Sequence, residues 1–272
     1  MSGIVKVQKG DAISLQVSDG VFAYGEGLFE TLKVSDGTLC FWEAHWARMN
    51  ASALALGFEM PATKDDVLKA LSELVRSEGL KDGILKLSLV RQNDGYVLYL
   101  YSRSSLTPLP QKVSLQVETE TQLNANSVLA GHKSHNYMEA MTLWRRAHAD
   151  GFYDCLRFNG KGHLAEACVS NIFFIKGGML CTPSLATGIL PGVARDAILT
   201  LAAQNKRTIR EGEFILSDLE DAEAVFLTNS VTGVVPVATI LNTYESSGES
   251  EDLLGELCAQ FAIVEKANSI KL

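Results

Sequence analysis

ILKLSLVRQNDGYVLYLYSR, residues 84–103, decides the fold class. Two runs of β-favouring residues, 84–91 and 96–103, flank Asn93-Asp94-Gly95, which is a hairpin signal. TLKV (31–34) and TLCFW (38–42) repeat the pattern around Ser35-Asp36-Gly37. Two hairpins with helical patterns between them make an α+β unit, not the strictly alternating βαβ order of a doubly wound sheet. The first helix is read over about 43–56, with Trp46, Met49, Ala53 and Leu56 as its stripe and Gly57 as its stop. Thr63 opens a second helix, with Asp66 three residues on, Val67, Leu71, Leu74 and Val75 as its apolar face, and Gly79 at its end.

SLTPLPQ (105–111) carries two prolines and no periodicity, so it reads as a linker between a domain of 1–111 and one of 112–272. The second part restarts with strands at 112–118 and 127–133. A helix follows over about 136–150, then strands at 154–159, 163–167, 171–176 and 179–183. A glycine/proline turn runs into a helix at 187–204. Residues 223–237 read as a strand with a polar break, and the last 20 residues as helical.

The 272 residues are 47% hydrophobic and 21% charged, with a net charge of −8. No Lys/Arg block stands out, so nucleic acid and anionic membranes are not expected partners. No apolar stretch approaches the roughly 20 residues of a membrane span, and no secretory leader is read, so the expected location is cytoplasmic. The five cysteines lack zinc spacing; they read as small core residues, and no metal is expected.

Four features suggest chemistry. Lys133, in GHKSHNYME (131–139), lies where a strand is read to pass into a helix. A lysine packed between elements loses solvation, and part of it becomes free amine, a nucleophile toward a carbonyl. Glu166, in HLAEACVSN, is placed like a carboxylate that keeps a ring nitrogen protonated. GILPGVARD (188–196) puts a glycine-rich turn before a helix whose first turn is near Val193, a phosphate-binding arrangement. Arg48 has Ala44, Ala51, Ser52 and Ala55 at helical spacing, a small-residue face on which a guanidinium can pair with phosphate. Each feature alone is more often ordinary surface structure. Together they are the parts of a pyridoxal phosphate site. His132 and His135 are read as structural, and His45 and His148 are given no chemistry.

The order of motifs resembles the class IV, fold-type IV, pyridoxal-phosphate aminotransferase family. It is carried by FAYGEGLFETLKV (22–34), HWARMNASALALG (45–57), KSHNYMEAM (133–141), GHLAEACVSNIFFIKGGMLCTPSL (162–185), GILPGVARDAIL (188–199) and AVFLTNSVTGVVPV (224–237). The resemblance implies a D-amino-acid-aminotransferase-like fold: a small N-terminal domain and a larger, barrel-like C-terminal domain carrying the cofactor lysine. It implies pyridoxal 5'-phosphate joined to Lys133, with Glu166 facing the pyridine nitrogen and Tyr137 hydrogen-bonding the phenolic oxygen. Arg48, the N–H groups of Val193 and Ala194, and Ser230 would hold or approach the phosphate. Tyr24, Phe29 and Arg91 would line the substrate pocket. A small-molecule substrate and a homodimer are implied too. The chain departs from the pattern in having Ala194 where many relatives have threonine, and Gly20-Val21 after Asp19 where they tend to have Arg-Gly. RQNDGY (91–96) lacks the second arginine of D-amino-acid transaminases. YGEGLFETLKV and LTNSVTGVVPV look more like the aminodeoxychorismate lyase members than the branched-chain ones, so the expected activity is a lyase and the alternative a transaminase for D- or branched-chain amino acids.

Overall fold

A computed structural model describes residues 3–8, 11–103, 110–248 and 251–272. In chain order the elements are β1 (Gly3–Val7), α1 (Gly20–Tyr24), β2 (Gly27–Ser35), β3 (Thr38–Cys40), α2 (Trp42–Ala55), α3 (Lys64–Glu78), β4 (Gly83–Gln92), β5 (Gly95–Arg103), β6 (Val113–Val117), α4 (Met138–Ala149), β7 (Asp154–Phe158), β8 (Leu164–Ala167), β9 (Asn171–Lys176), β10 (Met179–Pro183), α5 (Val193–Gln204), β11 (Ile209–Gly212), β12 (Ala224–Asn229), β13 (Gly233–Ile240), β14 (Tyr244–Glu245), α6 (Glu251–Ala267) and β15 (Ser269–Lys271). Contacts divide the chain into Met1–Pro108 with His132–Asn136 and Glu265–Leu272, and Leu109–Gly131 with Tyr137–Val264. Most of the expected linker, residues 105–109, lies outside the described residues.

The first unit is a six-stranded sheet in the order β1-β5-β4-β2-β3-β15. The two predicted hairpins are its centre, and Asp36 and Gly37, with φ of 48° and 68°, supply the left-handed pair a tight turn needs. Strand alternation sends Leu28, Leu32, Leu85, Leu87, Leu89, Leu98 and Leu100 to one face, where Trp42, Met49 and Ala53 of α2 and Val67, Leu71 and Leu74 of α3 cover them. Each such leucine contributes about 1.5–3 kcal/mol by leaving water. Helix α3 starts as read: the Thr63 hydroxyl accepts from the Asp66 N–H, and Gly79 closes the helix at φ 61°.

The second unit is a nine-stranded mixed sheet, β11-β10-β9-β12-β13-β6-β7-β8 with β14 beside β13, and it is the barrel-like sheet that was expected. Val113, Leu115, Leu156, Phe174, Leu227 and Val235 are among the residues of its core.

Four readings change. Residues 127–133 form no strand: 127–131 bend and turn, and 132–133 have no regular structure. Asn124 Oδ1 accepts from Asn126 N–H, and Ser127 Oγ accepts from Leu129 N–H, so local side chains outcompete a ladder. Lys133 packs with the first unit, because 132–136 runs along the edge of β2: Phe29 N–H donates to Lys133 C=O and His135 N–H to Gly27 C=O. Residues 223–237 fold as the hairpin β12–β13, since Asn229 Oδ1 accepts the Val231 and Thr232 N–H groups and Gly233 turns at φ 68°. The C-terminal helix ends at Ala267, and β15 returns to pair with β3. All five cysteines are free thiols, four of them buried. Among the described residues no helix is long and apolar enough to cross a membrane.

Candidate active site

In the first unit the site is built on β2. Leu28, Leu32 and Val34 point into the core, and Glu30 shares their parity, so a carboxylate sits 1% exposed at an apolar position. A buried charge persists only when it is paired. Helix α2 supplies the partners from one face, three residues apart. Arg48 donates from Nε to Glu30 Oε1 at 2.9 Å and from Nη2 to Oε2 at 2.6 Å, and His45 lies with Nδ1 2.6 Å from Oε2. Burial alone would raise the Glu30 pKa, but Arg48 and His45 outweigh it and hold it at about 2. Burial, helped by Arg48 and Lys133, lowers the His45 pKa against the pull of Glu30. His45 is therefore a neutral ring donating Nδ1–H to a carboxylate. The arginine fork expected to take phosphate is thus engaged by Glu30, which fixes its orientation.

Phe29, the next residue on β2, points to the opposite face. The Lys133 Nζ lies 4.4 Å from its ring centroid, and His135 meets the same ring edge-on at 5.7 Å. His132 Nδ1 is 2.9 Å from the Ser52 hydroxyl of α2, in line with a structural role. Tyr24 is 75% exposed, and Arg91 is an exposed residue 3.6 Å from Glu26.

In the second unit Glu166 is held by its Oε2, which accepts from Asn171 Nδ2 at 3.1 Å and from Leu190 N–H at 3.0 Å. Asn171 Nδ2 also donates to Leu190 C=O at 3.0 Å, which ties the carboxylate to the GILPG turn. The turn then enters α5 at Gly192, where no side chain caps the helix and Val193 and Ala194 form its buried first turn. A Cβ on Gly192 would fall 2.0 Å from Asn171 Oδ1, so only glycine permits this approach. Tyr137 is partly buried at the start of α4, against the cluster of Ala140, Leu143 and Ala147. Ser230 follows Asn229, whose Nδ2 donates to Ser170 Oγ at 3.0 Å.

Glu30, His45 and Asn171 were missed in the sequence. Glu30 had a signal, as a charged residue among the buried apolar positions of β2. Asn171 had none, because its partners lie five residues before and nineteen residues after it.

The sequence profile described as amino-transferase class IV matches residues 27–240. An aminodeoxychorismate lyase of Vibrio harveyi is 31% identical over 237 residues, 82% of this chain and 86% of that protein. One of Bacillus subtilis is 29% identical over 262 residues, 91% of this chain and 89% of that protein. A solved structure from Legionella pneumophila, whose assignment as a 4-amino-4-deoxychorismate lyase is provisional, superposes with a TM-score of 0.85 at 30% identity, covering 94% of this chain and 98% of that one.

Proposed function

The chain belongs to the amino-transferase class IV family, and from that premise we propose that it is a lyase converting 4-amino-4-deoxychorismate to 4-aminobenzoate and pyruvate. Its cofactor is pyridoxal 5'-phosphate, as in the rest of the family. The observation that carries the lyase reading is similarity of about 30% over most of the chain to proteins of that name, in two curated relatives and one solved structure.

The residues fit the cofactor. The ring nitrogen asks for a carboxylate fixed in orientation, and Glu166 is held by two donors on one oxygen. The phosphate asks for N–H donors at a helix start, and α5 begins at Gly192 with no side-chain cap. Bound, the cofactor supplies an electrophilic carbon for the substrate amine and a sink for electrons. Lys133 holds it covalently, and Tyr137 donates toward its phenolic oxygen. Arg48, the N–H groups of Val193 and Ala194, and Ser230 hold its phosphate. With the cofactor bound, the Lys133 amine would take the proton from C4 of the substrate ring. It then returns a proton to the methylene carbon of the departing enolpyruvyl group, which leaves as pyruvate. Phe29, Tyr24 and Arg91 face the substrate. The enzyme works as a cytoplasmic homodimer, which sedimentation equilibrium tests directly.

The deciding experiment supplies fresh aminodeoxychorismate and no keto acid. Equimolar 4-aminobenzoate and pyruvate from the wild type, absent from Lys133→Ala, are expected. A yellow, cofactor-loaded protein that makes neither product sinks the lyase reading, and transamination of D- or branched-chain amino acids becomes the reading to assay.

A further inference from the structure

Lys86 stands on β4 opposite Thr31 of β2 and Tyr101 of β5. Leu85 and Leu87 face the helix-covered core, so alternation sends Lys86 to the other face, where Phe29 also points. Its Nζ lies 4.5 Å from the Phe29 ring centroid, and the Lys133 Nζ lies 4.4 Å from the same centroid, which bounds the distance between the two nitrogens at about 9 Å. They reach the ring from the two edges of β2: β4 runs along one, and the segment with Lys133 lies on the other.

Lys133 has its task. Lys86 does not. Among the described residues no carboxylate lies within ion-pair distance of its ammonium, and the side chain is partly buried. Burial, with Arg103 adding to it, pushes its pKa below the usual lysine value, while Glu30 pulls the other way. A desolvated ammonium without a counter-ion is costly, and one aromatic ring returns only about 0.5–2 kcal/mol of that cost.

We propose that Lys86 receives a carboxylate of the substrate, remote from the amine that reacts at Lys133. This rests on the reading of Lys133 as the cofactor-bearing amine. Aminodeoxychorismate carries a ring carboxylate para to its 4-amino group, so a rigid six-membered ring separates the two. A simple α-amino acid has its carboxylate on the carbon beside its nitrogen, a shorter span than the one across the ring of aminodeoxychorismate. Lys86 is therefore a specificity-determining residue that selects an amine and a distant carboxylate on one frame.

The test compares binding of 4-aminobenzoate and aniline to the cofactor-loaded enzyme, read through the visible absorbance of the cofactor. The wild type is expected to prefer 4-aminobenzoate by about ten- to a hundredfold, the range of a charge-assisted hydrogen bond. Lys86→Met is expected to bind the two alike, with its visible band unchanged, and to raise KM for aminodeoxychorismate far more than it lowers kcat. Lys86→Arg is expected to restore most of the preference. If Lys86→Met does not fold, Lys86→Gln makes the same comparison. A wild type with no preference, or a preference that survives loss of the ammonium, overturns the proposal. Turnover and preference separate the two readings. Lysis intact with the preference unaltered by Lys86→Met sinks Lys86 alone. No lysis, with a preference that Lys86→Met abolishes, sinks the lyase and leaves Lys86 as a carboxylate receptor.

Discussion

Glu30 in one unit and Asp154 in the other are both buried carboxylates, and the two are solved in opposite ways. Glu30 of the first sheet meets a guanidinium and a neutral imidazole, and is held at about 2. Asp154 of the second is fully buried and meets backbone N–H groups, those of Cys155 at 2.8 Å, Cys168 at 3.0 Å and Val169 at 3.4 Å. Burial pushes its pKa up to about 6, and the N–H bonds pull it only part of the way back. At Asp154 the hydrogen-bond donors satisfy the lone pairs of the carboxylate, yet they do not repay its desolvation.

Breaking the Glu30 group has the largest expected effect. Glu30→Gln leaves the mostly buried Arg48 without its counter-charge, and unfolding in urea should show a loss of about 3–5 kcal/mol. A loss under 1 kcal/mol would mean that Arg48 finds water and the group is not a buried ion pair at all. The pH dependence comes next, and its sign differs between the two carboxylates. Glu30 has a folded pKa below its ordinary 4.5, so its stabilisation is full above 4.5 and is lost as pH falls toward 2. Asp154 has a folded pKa above its ordinary 3.8, so the folded state holds its proton more tightly and stability falls as pH rises from 3.8 through 6. Each amounts to about 3 kcal/mol over its window. Stability measured from pH 3 to 8 should lose the acid-side slope in Glu30→Gln and the slope between pH 4 and 6 in Asp154→Asn. If Asp154→Asn leaves that second slope intact, Asp154 titrates normally and the contrast collapses.

These two carboxylates also mark how far the sequence could be read. The hairpins and the helices α2 and α3 were legible because alternation, capping and turn residues act within a few positions. Glu30 was legible in principle: at an apolar parity between Leu28 and Leu32, a charge announces a buried partner. Lys86 announces the opposite by the same rule, since its neighbours Leu85 and Leu87 place it on the outer face. The segment at 127–133 was misread because apolar content suggested a strand while Asn124 and Ser127 were making turns. The pairing of 132–136 with β2, and of β15 with β3, joins residues a hundred or more positions apart. No local pattern encodes such a partner, so Lys133 was recognised by its motif but read at the end of a strand in the second part of the chain.

Glu166 stands between the two extremes, and Asn171 decides on which side it falls. One neutral amide and one backbone N–H hold Glu166 Oε2, and the same amide nitrogen donates to Leu190 C=O. Asn171→Ala removes both donations, at an expected cost of about 1–3 kcal/mol in urea unfolding. Asn171→Asp keeps the shape but sets a second negative charge beside Glu166, which raises the proton affinity of the pair and should cost more than the alanine. If Glu166 partners the pyridine nitrogen, both variants should also weaken cofactor retention, followed as loss of the visible band on dilution, with the aspartate variant weaker than the alanine. Two variants that hold the cofactor as the wild type does would mean that the backbone donor suffices and that Glu166 needs no side chain to orient it. An alanine variant that loses stability but keeps the cofactor would confine Asn171 to the architecture of the GILPG turn, through Gly192 and Leu190, and separate the carboxylate's placement from the turn's.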